Sequence, residues 1–78
     1  MTVDHRDPMP LYEQLAAILR DQISRGEFAG TGMLPSEGYL QQAHGVARGT
    51  VRMAIGVLVS EGLVYKVKAR GTYLSAPK

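Results

Sequence analysis

Seventy-eight residues with a net charge of +2 and 45% hydrophobic content describe one small folded domain rather than a disordered chain. With no cysteine, a disulfide framework and a thiolate metal site are excluded, as expected of a protein of the reducing cytoplasm. The longest apolar run, Leu15-Ala16-Ala17-Ile18-Leu19, is far too short to span a bilayer. The charge is unevenly spread. Residues 1–45 carry three basic and six acidic side chains, whereas residues 46–78 carry six and one, so a polyanion would meet the second half.

Residues 1–9 are polar, lack the apolar run of a signal peptide, and read as a flexible arm. Pro10 suits the first turn of a helix, and Leu11, Leu15, Ile18, Leu19 and Ile23 continue it at helical spacing. Arg25-Gly26 supplies a basic last turn and a stop. This helix, 10–25, reads as scaffold, with Tyr12 in core or rim packing. Gly30-Thr31-Gly32 is a turn, and Met33-Leu34 is a very short strand before Pro35.

Ser36 is a good N-cap for a second helix over 36–44, with Glu37 favourably placed for the helix dipole and Leu40 and Ala43 as its buried positions. Gly45 fits the left-handed residue that ends a helix, and Val46 plugs the core. A third helix over 47–61 buries Val51, Ala54, Ile55 and Leu58, while Arg48 and Arg52, four residues apart, rise one above the other on a neighbouring face. Two short helices joined by such a turn form a helix-turn-helix. After Glu61-Gly62, Leu63, Tyr65 and Val67 alternate with Val64, Lys66 and Lys68, a strand with one basic face. Lys68-Ala69-Arg70-Gly71 is the turn to a second strand at Thr72-Tyr73-Leu74, making a wing, and residues 76–78 read as a tail or the start of a linker. The expected fold is mainly α with a small β-sheet (α+β): a winged helix-turn-helix of three helices with a two- to three-stranded antiparallel wing, spanning 10–75.

The residues give no support to an enzyme. His5 lies in the arm and His44 at a helix end, with no metal-ligand spacing between them. Gly30-Thr31-Gly32 is too short for a phosphate loop and lacks the Lys-Ser/Thr that would follow it. Two guanidinium groups on the exposed face of an anchored helix suit DNA instead, because arginine pairs bidentately with guanine O6 and N7.

Five segments occur together in order: Pro10-Leu11-Tyr12-Glu13-Gln14-Leu15, Leu34-Pro35-Ser36-Glu37, Gly45-Val46-Ala47-Arg48-Gly49-Thr50-Val51-Arg52, Glu61-Gly62-Leu63-Val64 and Arg70-Gly71-Thr72-Tyr73-Leu74. In this order and spacing the chain resembles the GntR-type winged-helix DNA-binding domain, and its Pro-Leu-Tyr opening is most similar to the HutC-like and YtrA-like branches. The resemblance implies a bacterial, cytoplasmic transcription regulator, usually a repressor, that binds a near-palindromic operator in double-stranded DNA as a homodimer. The helix-turn-helix's second helix would enter the major groove and the wing would reach toward the minor groove. Carried onto this chain, the DNA-binding set is Ser36, Ala47, Arg48, Gly49, Thr50, Arg52, Lys66, Lys68, Ala69, Arg70 and Gly71, together with the residue after Glu37. No cofactor, metal or membrane is implied. A small-molecule effector would need a further C-terminal domain in a longer protein, of which this chain would be the excised DNA-binding part.

The chain also departs from the family pattern. Gly38 stands where an arginine often follows Ser-Glu, Ala47 replaces a capping Ser or Thr, and Ala69 stands where a wing glycine is common. Gly49 and Gly56 lower the intrinsic stability of the third helix, so that helix is expected to be the least stable of the three. Two alternatives remain open: a winged-helix protein–protein interaction module, and a small DNA-architectural or excision factor.

Overall fold

The computed structural model describes residues 2–75, so the tail expected at 76–78 lies outside the described residues. Three helices, α1 (Leu11–Ser24), α2 (Glu37–His44) and α3 (Arg48–Ser60), are followed by two strands, β1 (Val64–Val67) and β2 (Gly71–Leu74). Each helix lies within a residue of its expected bounds. Pro10 sits one position ahead of α1, where its carbonyl accepts from the N–H groups of Glu13 and Gln14.

The core forms where α1 meets α3. Leu15 and Leu19 from α1 and Val51, Ala54, Ile55 and Leu58 from α3 are essentially inaccessible to water, and Leu34, Leu40, Val46 and Val64 close the cluster from the other elements. Tyr12 packs half-buried at its edge. Across the far end of this pair, Arg20 donates through Nε and Nη2 to both carboxylate oxygens of Glu61, at 2.8 and 2.7 Å. That fork holds the Glu61 carboxyl below the usual carboxylate range through its hydrogen bonds and charge. It also joins the third turn of α1 to the residue capping α3.

Residues 2–10, whose first part was expected as a flexible arm, run as a strap against α1 and the core. Val3 is a buried core residue. The side-chain amide of Gln14, also buried, accepts from the Asp4 N–H at 2.7 Å and donates to the carbonyls of Asp4 and Met9 at 3.0 and 2.7 Å. A polar group removed from water requires such partners, and meeting them pins the strap.

In α2, Ser36 Oγ accepts from the Tyr39 N–H at 3.1 Å, the expected N-cap, and Gly45 ends the helix at φ +64°. Leu40 is buried as expected, but Ala43 is exposed and His44 is buried in its place. The inward stripe runs through positions 37, 40, 41 and 44, a helical face that leaves position 43 outside. His44 keeps Nδ1 buried with no hydrogen-bond partner among the described residues, and burial pushes its pKa below the ordinary 6.5.

The strands pair antiparallel, Val64 with Leu74 and Val67 with Gly71. Met33 bridges to Tyr73, while Leu34 N–H donates to the Thr72 carbonyl and Leu74 N–H to the Gly32 carbonyl, each at 2.9 Å. The expected third strand is therefore a single bridge, because Pro35 and the cap at Ser36 end the extended segment at once.

Two measurements check this account. A methyl group added at Gly56 meets no atom within 4 Å, so Gly56→Ala should raise unfolding free energy by about 1 kcal/mol in urea titrations and slow amide exchange in α3. Because the folded state holds His44 neutral and the unfolded chain does not, the stability from burying it is full above about pH 6.5. It should fall as pH is lowered below that ordinary value, and His44→Gln should flatten that part of the profile.

Candidate nucleic-acid interface

α3 is built with two opposed faces. Its inward face is apolar and buried, and Arg48, Gly49 and Arg52 stand exposed on its first turns, with Thr50 half-buried between. Ala47 occupies the N-cap with extended backbone (φ −74°, ψ 158°) and makes no side-chain cap bond. Leading N–H groups of α3 therefore lack the acceptor that Ser or Thr would give them and can bond an incoming anion.

Beside α3 the wing forms the second wall of an open cleft of about 680 Å³, lined by Ser36, Glu37 and Arg52 on one side and by Lys66, Lys68, Ala69, Arg70 and Gly71 on the other. Seven of the residues singled out from sequence meet here. Ala47, Arg48, Gly49 and Thr50 do not line this cleft; they lie at the start of α3, beyond its edge. Gly38, the residue after Glu37, is exposed in the first turn of α2.

Alternation along β1 explains how lysine reaches the cleft. Val64 faces the core at 2% exposure, so Lys66, on the same face of the strand, continues that face out past the core into the cleft. Tyr65 goes to the other face, where it stacks on its cross-strand partner Tyr73 with ring centroids 5.9 Å apart. Among the described residues, Arg48, Lys66, Lys68 and Arg70 form no ion pair; the bridges present are Arg20–Glu61, Arg25–Asp21 and Arg52–Glu37. Positive charge on this face is left uncompensated apart from Arg52. Its Nε stands 3.4 Å from Glu37 Oε1 with both side chains partly exposed, a long and solvated pair that holds its geometry at little energy.

Glu37 was legible from sequence only as a helix-dipole residue. Its approach to Arg52, fifteen positions on, depends on the angle between α2 and α3, for which no spacing rule exists. Met33 was likewise missed: its Cε would lie 3.0 Å from a Cβ at Gly71, so that glycine is required by close packing where the turn enters β2 as well as by its φ of +131°.

The sequence pattern of the family described as bacterial regulatory proteins, gntR family, matches residues 11–74. The chain belongs to this family. It is a family of regulators and not of enzymes. The chain is 42% identical over 78 residues to the HTH-type transcriptional repressor NagR of Bacillus subtilis, covering all of this chain and 32% of that protein. It is 43% identical over 65 residues to the mannosyl-D-glycerate transport/metabolism system repressor MngR of Escherichia coli, covering 83% and 27%. It thus spans about a third or less of the length of these curated relatives.

Among solved structures, the DNA-binding domain of AraR in complex with operator ORX1 is similar with a TM-score of 0.81 and 33% identity, covering 96% of this chain and 95% of that one. YtrA from Sulfolobus acidocaldarius, a GntR-family transcription factor, is similar with a TM-score of 0.79 and 28% identity, covering 97% and 80%. The fold is the winged helix-turn-helix read from the sequence.

Within this GntR-family chain the wing tip carries an evident strain. The turn closed by the Arg70 N–H onto the Val67 carbonyl at 3.0 Å holds Ala69 at φ +65°, a conformation that favours glycine. Ala69→Gly should therefore stabilise the domain by up to about 1 kcal/mol in urea unfolding, whereas Ala69→Val should destabilise it.

Proposed function

We propose that this chain is the DNA-binding domain of a transcriptional repressor that binds a near-palindromic operator as a homodimer. The observation that carries this reading is the single basic face: Arg48 and Arg52 stand on the exposed side of a helix whose other side is locked in the core, beside a cleft rimmed by Lys66, Lys68 and Arg70. A major groove about 12 Å wide admits one α-helix, and α3 would enter it by its uncapped N-terminal end. Arg48 and Arg52 would read base edges, Thr50 and the leading N–H groups of α3 would hold a phosphate, and Ser36 at the start of α2 would lie against the same backbone. The wing, with Ala69 at its tip and Gly71 just after the turn, would carry Lys68 and Arg70 toward the adjacent minor groove.

Operator complexes of AraR and the repressor names of NagR and MngR support this reading. Dimer formation, a cytoplasmic location and any effector-binding domain in a longer protein are part of the same proposal.

Selection of bound sequences from a random duplex pool tests it. The wild-type chain should enrich one half-site, and Arg52→Ala should cost about 1–3 kcal/mol at a single operator position while relaxing the preference there. Lys66→Ala should weaken all duplexes alike and lower the salt slope by roughly one. A pool that returns no enriched sequence sinks the proposal, and an equal loss on every sequence for Arg52→Ala would make that residue a phosphate contact.

A further inference from the structure

The strap formed by residues 2–10 is outside the helix-turn-helix and the wing, yet it passes the turn between α2 and α3. Val3 and the Gln14 amide fix its path, and His5 then lies over the turn between α2 and α3, its Nε2 3.8 Å from where a Cβ on Gly45 would stand. Gly45 is two residues from Ala47, the N-cap of α3.

Charge in the strap is sorted by its own hydrogen bonds. Asp4 Oδ1 accepts from the Arg6 N–H and Asp7 Oδ1 from the Met9 N–H, each at 2.9 Å, which turns both carboxylates back onto the strap's backbone. Arg6 and His5 are exposed, and among the described residues neither makes a side-chain hydrogen bond or ion pair. A guanidinium and an imidazole N–H held at a fixed point next to a groove-entering helix are phosphate donors in waiting.

We infer that the N-terminal strap is a third element of the DNA interface, with Arg6 and His5 contacting backbone phosphates that flank the half-site read by α3. The inference rests on the DNA-binding reading above and adds to it a contact made outside the helix-turn-helix and the wing. Gln14 is the positioning residue: by holding the Asp4 and Met9 backbone it spares the strap the entropy of ordering on DNA.

The test is a salt titration of affinity, read by anisotropy of a short labelled duplex recovered from the random pool and of a scrambled duplex of the same composition. His5→Ala/Arg6→Ala should weaken both duplexes by the same several-fold factor and lower the salt slope by about one to two. Arg25→Ala, which removes an exposed arginine paired with Asp21 near the other end of α1, should leave affinity and slope as they were. Gln14→Leu should weaken binding with the slope kept, since the charges remain. An unchanged slope and affinity in the double variant, with wild-type binding intact, overturns the strap contact alone. Failure of the wild-type chain to bind any duplex would instead remove the DNA-binding reading beneath it.

Discussion

The seam between α1 and α3 is the constraint on which the rest depends. Local preference does not hold α3 together: it begins at an alanine that caps nothing and contains Gly49 and Gly56, a deficit of about 3 kcal/mol against a well-capped helix of ordinary residues. Burying Val51, Ile55 and Leu58 against Leu15 and Leu19 contributes roughly 5–9 kcal/mol by area, so packing wins by a clear margin. The consequence is functional. A helix held by one face is free to be any residue on the other, and here that other face carries Arg48 and Arg52.

Once α3 is fixed, the remaining elements acquire their positions by reference to it. α2 is set by Leu40 and His44 on the core side, which brings Glu37 to Arg52 across the turn. β1 is set by Val64, and the strict alternation of a strand then carries Lys66 into the cleft and Tyr65 onto Tyr73. Even the strap is tied to this frame through Val3 and Gln14. Positive charge is thereby gathered on one side without a strongly basic composition, because most acidic side chains lie in the first half and, among the described residues, Glu61 and Asp21 are paired with Arg20 and Arg25.

Weak points in the local structure fall where the interface is. Ala69 at positive φ sits at the wing tip and Ala47 at the start of α3. Both positions depart from what stability alone would select. In each case the backbone is exposed or brought close, which is what contact with a phosphate chain requires. His44 is the corresponding compromise inside the core, an imidazole whose Nδ1 has no partner among the described residues, next to the glycine that makes the turn.

Sequence by itself determined the three helices, the Gly45 turn, the Ser36 cap, the buried stripe of α3 and the hairpin, because each is written in spacing or in a residue's own conformational preference within one or two turns of chain. It also named Arg48, Arg52, Lys66, Lys68 and Arg70, since charge at helical or strand spacing can be read without coordinates. Only the tertiary structure decided that Ala43 is outside and His44 inside, that Glu37 meets Arg52, that Met33 backs Gly71, and that Val3 is buried with Gln14 holding the backbone of Asp4 and Met9. These depend on the rotation of one element about its axis relative to another, or on a side chain such as Gln14 finding backbone partners five and ten residues away. No local periodicity carries that information; it exists only once the helices have packed.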